Sequence, residues 1–75
     1  MLEQLREQAG LGGPAASLAN ELLLIRGQFE SGQLSRDEYE FLLQEVKDVK
    51  SQQQLATDEI ACRWIMAAAQ TLLSM

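Results

Sequence analysis

At 75 residues the chain has room for one small domain, and a hydrophobic content of 47% excludes disorder as its general state. A lone cysteine, Cys62, excludes an internal disulfide, and the lack of histidine removes both a zinc ligand set and any Ser-His or Cys-His pair. Eleven acidic residues against six basic ones, a net charge of −5, argue against direct contact with nucleic acid or an anionic membrane.

The first residues, Leu2, Leu5 and Ala9, have helical spacing, and Gly10 followed by Gly12-Gly13-Pro14 ends the run. Isolated helices this short are marginal in water, so residues 1–13 read as a short arm and glycine-rich linker that orders only against something else. A helical domain is expected over 14–75, with helices at about 14–31, 35–51 and 57–74.

Pro14 suits a first helical position, where its missing N–H costs nothing. From there Leu18, Leu22, Ile25 and Phe29 recur at intervals of four, three and four, the stripe of an amphipathic helix. Gly27 within it marks either a close helix crossing or an open surface position.

The turn that follows is the most legible part of the chain. Gly32 can take the left-handed conformation that closes a helix. Ser35 reads as the next N-cap, with Glu38 three residues on to complete a capping box. Asp37 and Glu38 occupy the first turn, where the helix dipole favours negative charge. Two amphipathic helices joined this tightly pack antiparallel.

Tyr39, Leu42, Val46 and Val49 form the inner stripe of the second helix, and its outer face carries Glu40, Glu45, Lys47, Asp48 and Lys50. Ser51 to Gln54 is polar and breaks the stripe, so a bend or break is expected near 52–57, the alternative being one long helix, since no Gly or Pro interrupts 35–75. Thr57-Asp58-Glu59 looks like a fresh N-terminus.

In the last segment Ile60, Trp64, Ala67 and Thr71 share one face, with Ala61, Ile65, Ala68 and Leu72 beside it. Such a helix, apolar nearly all round, belongs in a core or an oligomer interface. Trp64 fits either place, as an anchor of the domain's own core or as a hot spot for a partner. Arg63 would snorkel or pair across an interface with an acid of the second helix. Cys62 reads as packing rather than a reactive thiol.

The stretch from Gln28 to Tyr39, with Leu22 and Ile25 before it, resembles the SHOCT family of short helical-hairpin domains. Leu22, Ile25, Gly32, Leu34, Ser35, Glu38 and Tyr39 fit that pattern, and the likeness covers residues 22–46. It departs where the family places a lysine soon after the aromatic, because here the chain continues Glu40-Phe41-Leu42-Leu43. The resemblance implies an oligomerisation or protein-contact module and no enzymatic residues. The compact chain also suits a bacteriophage accessory protein.

The expectation is therefore an all-α fold, a helical hairpin plus a third helix in a small bundle completed by oligomerisation. The work expected of it is non-enzymatic protein contact, with no cofactor or metal, in a cytoplasmic setting. Self-association would run through Ile60, Trp64, Ile65, Ala68 and Leu72. The alternative is an acidic adaptor or inhibitor whose Asp37, Glu40, Glu45 and Asp48 occupy a basic site on another protein, such as one that binds nucleic acid.

Overall fold

A computed structural model describes all residues, Met1–Met75. Helix α1 spans Leu2–Leu11, α2 Ala16–Glu30 and α3 Arg36–Glu45; α3 runs on through a π-helical stretch, Val46–Lys50, into α4, Ser51–Gln54, and α5 spans Glu59–Leu73. There is no strand, and the fold is the small all-α bundle expected from composition and periodicity.

Local chemistry sets most of the boundaries. Helix α1 passes through Gly10 and closes at Gly12, which adopts the left-handed conformation at φ 71°. The chain then turns through Gly13 and Pro14, and Ala15 is the N-cap of α2, so the helix starts two residues later than Pro14 suggested. At its far end Gly32 is left-handed at φ 83°, and the amides of Gln33 and Leu34 both donate to the Gln28 carbonyl. A side chain at Gly27 would meet nothing within 4 Å, which makes it an open surface position rather than a crossing point.

The capping box at the start of α3 is complete. The Glu38 amide donates to Ser35 Oγ at 3.1 Å, and the Ser35 amide donates to Glu38 Oε1 at 2.9 Å. Two amides that the first helical turn leaves without partners are thus satisfied reciprocally.

The π stretch explains a departure from the expected inner stripe. The Ser51 amide reaches back five residues to the Val46 carbonyl, so one extra residue is accommodated in that turn. Buried positions run Tyr39, Leu43, Val46, then Ser51 and Leu55, the step of five marking the wide turn. Val49, expected on the seam, is rotated outward to 44% exposure. Ser51 satisfies its buried hydroxyl by donating to the Lys47 carbonyl at 2.6 Å.

The rod ends at Gln54, within the expected break. Within the expected start Thr57-Asp58-Glu59, the cap of α5 is Asp58, whose carboxylate accepts from the Ala61 amide at 3.0 Å.

Fourteen buried apolar residues form one cluster, drawn from α1, the turn before α2, α2, the α3–α4 rod and its end, and α5. Leu5 is fully buried in it, with Leu2 and Ala9 packed alongside, so the segment read as an arm is a helix laid chiefly on α2. A helix this short gains its stability from packing its apolar face on a neighbour, which here is the same chain.

Polar contacts tie the hairpin to the end of α5. Tyr39, fully buried, stacks on Phe29 with ring centres 4.1 Å apart and donates its hydroxyl to the Leu72 carbonyl at 3.1 Å. Arg26 Nη1 donates to the same hydroxyl at 2.9 Å. Arg36 Nη2 and Nη1 donate to the carbonyls of Leu73 and Met75 at 2.9 and 3.3 Å. Carbonyls that a helix end leaves free are satisfied by side chains more than thirty residues away in sequence.

Candidate protein-interaction surface

The face expected to contact a second chain divides in two. Ile65, Ala68 and Leu72 are buried within this chain's own core, together with Ala69. They are occupied by α2, α3 and the π stretch, against which α5 packs, and offer nothing to a partner. The stripe led by Ile60 turns the other way: Ile60 is 83% exposed and Ala67 and Thr71 are exposed. Trp64 lies between the two faces, half-buried and packed on the edge of the core. It lines an open groove with Gln8, Pro14, Ala15, Ala61 and Ile60. Of the five residues expected to self-associate, only Ile60 and the outer part of Trp64 remain accessible.

Arg63 takes neither role expected of it. It is exposed and pairs with Glu59 one turn earlier on the same helix at 2.6 Å. Cys62 is half-buried against the core, its Sγ 3.9 Å from the thioether of Met66.

The acidic residues also separate by environment. Glu40 is half-buried and held by Arg36 Nε at 2.8 Å. Glu45 lies 3.9 Å from Lys50, whose ammonium is bound to Glu21 at 2.5 Å. That Glu21 contact raises the Lys50 pKa above the usual lysine range, against a smaller lowering by desolvation. Both carboxylates are therefore partly neutralised by this chain's own cations. Asp37 and Asp48 are exposed and form no ion pair.

Glu38 joins the unpaired acids. The Ser35 amide, and then the Ser35 hydroxyl, hold its pKa below the usual carboxylate value, so it is firmly ionised near neutral pH. The capping chemistry that starts α3 also fixes a negative charge at its exposed first turn.

Between these charges lies a feature the charge pattern did not reveal. Leu34, Asp37, Glu38, Phe41 and Leu42 line a shallow groove along the outer side of α3. Phe41 is 66% exposed there, the most exposed aromatic side chain of the protein. Asp37, Phe41, Gln44 and Asp48 follow one another at intervals of four, three and four, and all are exposed, so a single stripe carries an aromatic ring between unpaired acids.

A signal for it was present in Glu40-Phe41-Leu42-Leu43. Successive helical residues point about 100° apart, so three apolar residues in a row cannot share one buried face. Leu43 is buried, Leu42 half-buried and Phe41 exposed.

No helix of the protein is long and apolar enough to cross a membrane. Comparison with family models, curated protein sequences and solved structures finds no match to this chain.

Proposed function

We propose that this chain is a non-enzymatic helical module that binds another protein through the outer face of α3. The observation that carries this reading is Phe41. A large aromatic side chain stands mostly in solvent on a regular helix, beside the half-buried Leu34 and Leu42, although the chain already has a closed apolar core. An exposed aromatic backed by apolar neighbours is the usual anchor of a contact surface, since it supplies much area for little loss of side-chain freedom.

The test compares wild-type protein with Phe41→Ala in affinity capture from the native host, with circular dichroism as the check on folding. A specific protein retained by the wild type should be lost on the variant while helicity is unchanged. An identical set of bound proteins on both would reject the reading.

A second reading, self-association, draws on the exposed Ile60 beside the groove of Pro14, Ala15, Ala61 and Trp64. Here sedimentation velocity over a range of concentrations should show a dimer that Ile60→Glu converts to a monomer. A monomer at every concentration removes it.

A further inference from the structure

We infer that the groove on α3 receives a basic amphipathic helix from another protein, an inference that rests on the interaction-module reading above and names the chemistry of its partner. Three observations choose this occupant.

The first is the charge around the groove. Asp37 and Glu38 line it and Asp48 lies farther along the same stripe, all without an ion-pair partner. This chain has little with which to neutralise them. Of its six cationic side chains, Arg26 and Arg36 are committed to Tyr39 and to the end of α5, Lys50 to Glu21, and Arg63 to Glu59, while Arg6 belongs to α1, which packs chiefly on α2. Lys47, on the same rod, lies off the stripe, because six residues from Phe41 corresponds to about 240° around a helix. Cations that complement the groove must come from the ligand.

The second is the same charge viewed as a filter. An isologous contact would set this stripe against its own copy and bring Asp37, Glu38 and Asp48 of two chains together. Like charges so placed oppose association, which argues against a second copy at this face. Nucleic acid and anionic lipid are repelled for the same reason.

The third is shape. The protein has no strand, so an extended peptide finds no sheet edge to join. A shallow apolar groove beside a helix suits the helix-in-groove mode, in which apolar side chains spaced three and four apart seat against a few anchors. Leu34, Phe41 and Leu42 provide those anchors, and lysines or arginines flanking the ligand's apolar stripe would face Asp37, Glu38 and Asp48.

The experiment measures fluorescence anisotropy of three dye-labelled synthetic amphipathic peptides that share one leucine stripe and carry Lys, Gln or Glu on the polar face. The Lys peptide should bind, with affinity falling on the order of tenfold between low and physiological salt; the Glu peptide should not. Phe41→Ala should weaken the Lys peptide by about tenfold or more. Asp37→Asn with Asp48→Asn should weaken it by roughly several-fold and flatten its salt dependence, whereas Glu3→Gln with Glu7→Gln on α1 should leave it unchanged. All these side chains are exposed, and circular dichroism of each variant verifies the fold. Equal binding of the Gln and Lys peptides, both lost on Phe41→Ala, would overturn the basic partner while leaving the α3 surface standing. Lys-peptide binding that ignores Phe41→Ala and weakens equally with the α1 pair would be charge attraction alone, and would overturn both. Failure of all three peptides to bind would overturn the inference.

Discussion

The inner face of α5 and the outer face of α3 invert the usual relation between apolar content and contact. Helix α5 is the most apolar in the chain, yet Ile65, Ala68, Ala69 and Leu72 are consumed by the protein's own core. Helix α3 is studded with charge, yet it leaves Phe41 in solvent beside Leu34 and Leu42. Apolar content alone therefore does not say which apolar side chains stay accessible. Accessible apolar area is what remains after the chain's own helices have covered what they can reach.

The contrast can be broken most directly at Leu72. Truncation to alanine should destabilise the protein by about 2–5 kcal/mol, the range for emptying a fully buried leucine site. If the site is internal, denaturant midpoints of wild type and variant will not move with protein concentration. A midpoint that rises with concentration would return Leu72 to an interface and dissolve the distinction.

Tyr39 links the two regions, since it belongs to α3 and holds the end of α5. Tyr39→Phe keeps the ring against Phe29 but strips the hydroxyl from the Leu72 carbonyl, which retains the Met75 amide at 3.3 Å, and leaves an Arg26 N–H without its partner. A loss of about 1 kcal/mol is expected, the usual net worth of an intramolecular hydrogen bond. A neutral substitution would mean that packing alone holds α5 in place.

Acid sharpens the comparison from the α3 side. The folded-state pKa of Glu38 is depressed by its bonds to Ser35, so its contribution is present above the unfolded carboxylate pKa and is lost as pH falls through the folded value. Stability should decline over that acidic window, and Glu38→Gln should flatten the slope while leaving the inner face of α5 unaffected. An unchanged slope in thermal melts across that window would show that the cap does not couple to charge.

The smallest expected effect is the most discriminating. Phe41→Ala should change stability by no more than about 0.5 kcal/mol, the usual span for a surface position. Paired with Leu72→Ala it forms the two ends of one measurement, a large loss for an apolar residue inside and almost none for a larger one outside. A substantial loss at Phe41 would mean that the ring supports the fold rather than waiting for a partner.

Much of the architecture was legible because its determinants are local. Gly32, Ser35 and Glu38 act on backbone groups within a few residues, so the hairpin turn could be read in the sequence and is present in full. The break after Gln54 is likewise announced by a polar run and a new cap, Asp58. Less of the site was readable. Of the acidic surface, Asp37 and Asp48 are exposed and form no ion pair, but Glu40 and Glu45 are answered by Arg36 and Lys50, and the Lys50–Glu21 contact that anchors this pairing spans 29 residues.

By itself the sequence determined an all-helical chain, its capped hairpin and its surplus of negative charge, because capping, periodicity and net charge need only neighbours along the chain. Tertiary structure alone decided that residues 1–13 contribute a core helix, that a π turn rotates Val49 outward, and which stripe of α5 is covered. Those outcomes depend on what packs across from each helix. A helix offers several apolar faces, and only the neighbours it meets select the one that leaves water.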